Sequence, residues 1–210
     1  MTTDRRLVRG ERTRVAVLDT AVQLATEVGL DGLSLAQLAE RLQVSKSGLF
    51  AHWRSKEELQ LAAIDHARQQ WIDQVVTPAL RVPRGVRRLW ALLDARVAFY
   101  AAEVLPGGCF FANAQFEYDA RQGPVRDRLA AVLAEWITLL RRLISEAVTL
   151  GELPPDTDVT QLAFELDAFG VATVHQSRLL DPSEVYRCGR HAALARLRSL
   201  CPDPTLLPED

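Results

Sequence analysis

The 210-residue chain predicts an all-α protein of about nine helices, with a small three-helix unit at its N-terminus and a larger helical domain behind it. Three observations carry this. Apolar residues recur at spacings of three and four in segment after segment. Capping residues and Pro or Gly breaks fall between those segments. No stretch alternates apolar and polar residues as a half-buried strand does.

The first helix reads from Arg14 to Val28, where Val15, Leu18, Val22, Ala25 and Val28 form one stripe and Gly29 supplies the stop. Ser34 then caps a short second helix running to about Leu42; Gln37 completes a capping box and Leu33 with Leu38 makes a hydrophobic staple. Ser45 can cap a third helix of about seven residues carrying Leu49, Phe50 and Trp53. Ser55 and Glu58 form another capping box and open a long fourth helix, whose inner stripe is Leu59, Ala63, Ala67 and Trp71 and which Pro78 ends.

Five more segments follow, at approximately 83–103, 108–121, 124–150, 158–179 and 182–200. Pro106 to Gly108, Gly123 with Pro124, and the run Gly151 to Asp156 separate them, while Asp181, Pro182 and Glu184 start the last with a cap, an N1 proline and a carboxylate at N3. The segment 124–150 has the broadest apolar stripe and is expected to be the central helix of the larger domain. The tail 201–210, rich in proline and acid, is expected to fray.

Composition narrows the function. A 48% hydrophobic content supports a buried core, and no apolar run reaches the roughly 18 residues of a membrane span or follows the N-terminus as a signal peptide does, so a cytoplasmic protein is expected. Three cysteines and four histidines are scattered without metal-ligand spacing, so neither a metal nor a disulfide framework is suggested. No nucleophile elbow, zinc-protease motif, phosphate loop or dinucleotide fingerprint occurs, which argues against an enzyme and implies no cofactor. The net charge is -2, yet residues 1–14 hold five arginines against Asp4 and Glu11, and the only two lysines, Lys46 and Lys56, fall in the segment that reads as helix-turn-helix.

Two short helices joined by a tight turn fit a unit whose second helix enters the DNA major groove, although small three-helix units also bind proteins. Ala39 is small enough for steep packing, and Leu35, Leu38, Val44 and Leu49 would pin the pair to the first helix. Ser45 at the cap, with Lys46, Ser47, Gly48, Phe50 and His52, is left outward or at the rim. Lys46 can reach a guanine edge or a phosphate, and Ser47 a base or a phosphate. Gly48 costs its short helix about 1 kcal/mol relative to alanine, a loss that close backbone approach to DNA could offset. Lys56 joins an ammonium to a helix N-terminus, where phosphate is favoured.

The run from Arg14 to Leu59, above all VSKSGLFAHWRSKEEL at Val44 to Leu59, closely resembles the N-terminal DNA-binding domain of the TetR family of regulators. GLDGLSLAQLAERL at Gly29 to Leu42 and SKEEL at Ser55 to Leu59 occur in family order and spacing, and the helical remainder is similar in length and layout. The resemblance implies that Ser34 touches phosphate, Lys46 to Gly48 face bases or backbone, and Lys56 clamps phosphate, with Arg5, Arg6 and Arg9 following the minor groove as an arm. It implies a DNA-binding domain at 1–55 and an effector-binding and dimerisation domain at 56–200, in a homodimer that meets double-stranded operator DNA and is released by a small molecule, usually as a repressor. Two positions depart from the pattern. Gln43 stands where a turn glycine is usual, which means strain of roughly 1–2 kcal/mol if the left-handed conformation is kept, or else a reshaped turn. Phe50 replaces a phosphate-binding tyrosine and is expected to pack on the sugar backbone or, preferably, on Trp53.

In the larger domain, Cys109, Asn113, Phe116 and Ala120 share a helical face by spacing, and Trp90, Phe99 and Trp136 could complete an aromatic effector cavity, although each aromatic taken singly is more often core than pocket. Cys109 has two readings, a thiolate sensor at a helix start or inert packing. For the dimer surface the expectation is Leu162, Leu166, Phe169 and Val174 on the eighth helix with Cys188, Ala192, Ala195 and Ser199 on the ninth, where small residues let helices approach; the other reading is that both helices complete the monomer core.

Overall fold

A computed structural model describes residues 2–45, 49 and 52–209, with side chains from residue 14 onward. Among the described residues the elements are helical: α1 (Thr2–Val28), α2 (Leu35–Leu42), α3 (Lys56–Trp71), a π-helical turn (Ile72–Val76), α4 (Thr77–Leu80), α5 (Val86–Ala101), α6 (Phe110–Tyr118), α7 (Pro124–Thr149), α8 (Val159–Gln176), α9 (Pro182–Leu200) and a closing 3-10 turn (Pro204–Leu206). The fold is all-α, as the periodicity predicts. Leu49, the one described residue of the third helix, is helical and buried.

Several boundaries shift for identifiable reasons. Helix α1 begins at Thr2 and not at Arg14, so the backbone that bears Arg5, Arg6 and Arg9 is helical. Pro78 does not end the long helix. The Thr77 amide bonds Ile72 O, a five-residue reach that re-phases the ladder just before the residue lacking an N–H, and Pro78 then sits in the first turn of α4. The tail does not fray: Leu207 packs into the core, Cys201 is buried, and the Arg198 guanidinium bonds Pro208 O. Acidic and prolyl residues there form a capped turn, with the Asp203 carboxylate accepting from the Thr205 amide.

The chain divides into two compact units. The first comprises Met1–Gln70 with Leu105–Ala130, and the second Trp71–Val104 with Ala131–Asp210. In the first, Val17, Leu18, Ala21, Val22, Leu24 and Ala25 of α1 are buried, as are Leu33, Leu35, Leu38, Ala39, Leu49 and Trp53. Burying each large apolar side chain contributes about 1.5–3 kcal/mol. Val44 is a correction: it is 45% exposed and does not pin the pair to α1, and the stripe ends Val15 and Val28 are exposed too. In the second unit, Leu89, Leu92, Leu140, Leu143, Ile144, Leu162, Leu166 and Leu197 form the core, so α7 is central there as its stripe predicts.

Candidate nucleic-acid interface

The local chemistry of α2 accounts for its entry and exit. Ser34 is extended (φ -136°, ψ 150°), its Oγ accepts from the Gln37 amide at 3.2 Å, and its hydroxyl donates to Gln37 Oε1 at 2.8 Å. Gln37 thus closes the box onto the serine side chain instead of the capping residue's own N–H. At the exit Gln43 is left-handed (φ 53°, ψ 38°), and Val44 N reaches Ala39 O at 3.0 Å, a Schellman ending. The turn therefore keeps the conformation that glycine favours and carries the strain.

The start of α3 is built similarly. Ser55 Oγ accepts from the Glu58 amide at 3.1 Å, and Glu58 Oε2 accepts from the Arg54 amide at 2.7 Å. Trp53 is buried with the Arg14 guanidinium 6.0 Å from its ring, and the His52 ring tilts against it at 5.6 Å. These contacts leave Ser45, His52 and Lys56 exposed and Ser34 half-exposed. Lys46, Ser47, Gly48 and Phe50 lie outside the described residues, and the side chains of Arg5, Arg6 and Arg9 do as well.

Lys56 has a partner that sequence reasoning missed. Its Nζ is 3.1 Å from Asp31 Oδ1, while Arg121 Nη1 is 3.1 Å from Asp31 Oδ2. Hydrogen bonds from Lys56 and Arg121 hold the Asp31 carboxyl below its ordinary range. Glu117 of α6 accepts the N–H groups of Leu30 and Asp31 at 2.7 and 2.9 Å, and Gln60 Nε2 donates to Leu30 O at 2.8 Å and to the Tyr118 hydroxyl at 2.9 Å. Burial raises the Tyr118 hydroxyl's pKa, keeping it protonated. The turn after α1 is thus clasped by α6, whose residues lie more than eighty positions away.

The expected effector residues are divided between the two units. Cys109 is the N-cap of α6 (ψ 120°) and therefore off the helical phase that places it beside Asn113 and Phe116; it is buried, whereas Phe116 is 61% exposed. Ala120 follows the end of α6. Asn113 spends its amide on Gly107 O at 2.9 Å and on Thr26 O at 3.5 Å. Those residues belong to the first unit and Trp90, Phe99 and Trp136 to the second.

Phe99 and Trp136 do meet, around Trp71, with ring centroids 5.4 and 5.6 Å from it in edge-to-face geometry; Trp90 packs elsewhere on the same core. Within this nest Arg96, 6% exposed, donates to Asp167 Oδ1 at 2.9 Å and to the Tyr100 hydroxyl at 2.9 Å, and its guanidinium lies 5.3 Å from the Trp136 ring. Trp136 Nε1 donates to the same Asp167 oxygen at 2.8 Å. Gly170 leaves room for this guanidinium, because a Cβ at that position would stand 2.2 Å from Arg96 Cζ and the arginine would have to shift. No single-charge signal marks this pair in the sequence, because Asp94 lies two residues from Arg96 and Glu165 two residues from Asp167.

The dimer expectation needs correction as well. Leu162 and Leu166 are 1% exposed and Val174 is also buried, so all three are closed inside the protomer; Phe169 is half-buried against the same core. Because α8 is apolar on several sides, the pattern did not say which side turns inward. Phe164, 68% exposed, shares the outer side with Ala168, Ala172 and His175, and Leu179 and Leu180 follow, also exposed. On α9, Cys188, Ala195 and Ser199 are exposed and Ala192 is half-buried.

Among the described residues no His, Cys, Asp or Glu cluster could hold a metal ion, and no helix is long and apolar enough to cross a membrane. Residues 17–63 match the family model for bacterial regulatory proteins of the tetR family, and residues 85–201 match that for the tetracyclin repressor-like C-terminal domain. The HTH-type transcriptional repressor ComR of Escherichia coli is 27% identical over 151 residues, covering 71% of this chain and 72% of ComR. A TetR transcriptional regulator from Chloroflexus aurantiacus superposes with a TM-score of 0.81 at 27% identity, over 88% of this chain and 94% of that one. A cysteine mutant of the TetR family regulator CifR, solved with 26 bp double-strand operator DNA, gives 0.73 at 26% identity, over 87% and 96%. With a capped α2, a left-handed turn after it and family matches across both parts, the chain belongs to the TetR family of DNA-binding transcription regulators, a family of regulators and not of enzymes.

Proposed function

We propose that the chain binds a palindromic operator as a homodimer in the cytoplasm and represses transcription until a small-molecule effector releases it. The observation that carries this reading is the one-sided chemistry of the head: Leu35, Leu38, Ala39, Leu49 and Trp53 are buried, while Ser45, His52 and Lys56 are exposed and Ser34 is half-exposed. In this reading residues 1–55 read DNA and residues 56–200 bind effector and partner. Lys56 and Ser34 take phosphates, Lys46, Ser47 and Gly48 meet the major groove, and Arg5, Arg6 and Arg9 run beside the minor groove. CifR, solved with operator DNA, supports the assignment by likeness.

One helix-turn-helix reads few base pairs, so a two-fold pair of heads about 34–36 Å apart is needed. The exposed side of α8, led by Phe164, with Cys188, Ala192, Ala195 and Ser199 of α9, supports the partner surface. For the effector, the candidate wall within the second unit is the nest of Trp71, Phe99 and Trp136 beside Arg96 and Asp167. Helix α3 carries Lys56 in its first turn and Trp71 in its last, so a ligand that shifts one end also works against the other. Ligand and DNA then weaken each other's binding by the same factor. Selection of bound duplexes from a random pool tests the reading. It should return an inverted repeat with half-site centres about 10 base pairs, or a multiple, apart; an unenriched pool refutes it.

A further inference from the structure

The Asp31 carboxylate stands between two cations that play different parts. One oxygen holds Lys56 Nζ and the other holds Arg121 Nη1, both at 3.1 Å. Neither the carboxylate nor the two cations are buried, so each can change partner without unfolding anything. The Asp31 backbone, by contrast, is fixed, because its N–H and that of Leu30 are bound by Glu117. Arg121 lies just past α6, its guanidinium 4.5 Å from the Tyr118 ring, and Tyr118 in turn accepts from Gln60 of α3. The acid paired with Lys56 therefore has a second cationic partner, which follows α6 in the chain.

We propose that Arg121 tunes the DNA affinity of Lys56 through Asp31. DNA must take Lys56 from this carboxylate before a phosphate can have it. With Arg121 in place, Asp31 keeps a cation when Lys56 leaves, so release costs little. Without Arg121 the whole carboxylate falls to Lys56, and release leaves an unpaired charge. A movement of α6 that withdraws Arg121 thus blunts the phosphate contact with no change in the recognition helix. Arg121 and Asp31 are positioning residues in this scheme, and Lys56 alone touches DNA. The inference rests on the DNA-binding reading proposed above.

The test is fluorescence anisotropy on a labelled mixed-sequence duplex of about 30 base pairs at roughly 0.15 M salt, where charges more than about 8 Å away are screened. Exposed pairs of this kind are worth up to about five-fold in an equilibrium constant. Arg121→Ala is expected to weaken binding about three- to five-fold, and Asp31→Asn, which keeps its backbone N–H, to tighten it about two- to three-fold. In the Asp31→Asn background, and again in Lys56→Ala, the Arg121→Ala change is expected to have almost no effect. An equal loss in all backgrounds overturns the proposal, because Arg121 then acts directly on DNA or on the fold, and so does a silent Arg121→Ala in the parent chain. Circular dichroism of each variant reports folding. A parent chain that binds no duplex removes the DNA-binding reading itself, an outcome distinct from a chain that binds but shows no coupling.

Discussion

Cutting the Asp167 side chain back to alanine shows whether charge holds the aromatic nest together. The change removes the oxygen 2.9 Å from Arg96 Nη1 and 2.8 Å from Trp136 Nε1. Breaking a buried ion pair from one side costs about 3–5 kcal/mol, and the lost indole hydrogen bond about 1 kcal/mol. Two features lower the figure. The Asp167 side chain is 18% exposed, and Arg96 retains the Tyr100 hydroxyl and the face of Trp136. The expected loss is therefore about 2–4 kcal/mol, which for a chain of this size lowers the melting temperature by about 5–15 °C. Calorimetry with Arg96→Met, Asp167→Ala and the double variant closes a cycle. The double variant should be more stable than Asp167→Ala alone, with a coupling of about 2 kcal/mol, since the guanidinium that lost its carboxylate is then gone. A loss below about 1 kcal/mol that simply adds to that of Arg96→Met refutes the reasoning.

Three further outcomes follow from other parts of the structure. Gln43→Gly relieves a left-handed residue worth about 1–2 kcal/mol against glycine's entropic cost of about 0.5–1 kcal/mol, so the head gains roughly 0.5–1 kcal/mol in denaturant unfolding; a loss contradicts the left-handed turn. Phe164→Glu puts charge on the proposed partner surface and should shift the chain to monomer in analytical ultracentrifugation with its helical content unchanged, whereas an unaltered dimer excludes Phe164 from the contact. Asp31 should titrate below 3.8 by carboxyl NMR, and toward that value in Arg121→Ala. Its folded pKa being depressed, the small stability it contributes is present above the unfolded value and lost as pH falls through the folded one; a midpoint at or above 3.8 denies the shared pair.

What the sequence made legible was local. Ser34 with Gln37, Ser55 with Glu58, and Asp181 ahead of Pro182 each mark a helix start because the cap and its partner lie within three residues, and the structure has helices there. The α7 stripe needed only its own periodicity. Proline logic failed at Pro78, because a π turn absorbs the missing donor, a device with no composition signal. Facial reasoning failed at Cys109 because a capping residue is not in helical phase. It failed on α8 because a helix apolar on several sides has no marked interior, so Leu162 and Phe164 could not be told apart by type. The Glu117 clasp and the Asp31–Arg121 pair join residues 86 or more apart in the chain, and one sequence carries no trace of such pairings.

The most direct measurement is the affinity of the purified chain for its selected duplex and for a scrambled one, across a salt series and with the stoichiometry determined. The account predicts two chains per duplex, a preference of about a thousand-fold or more near 0.15 M salt, and a steep loss of affinity with salt that becomes shallower by about one unit of slope in Lys56→Ala. One chain per duplex, equal affinity for the two sequences, or a slope that Lys56→Ala leaves unchanged contradicts it.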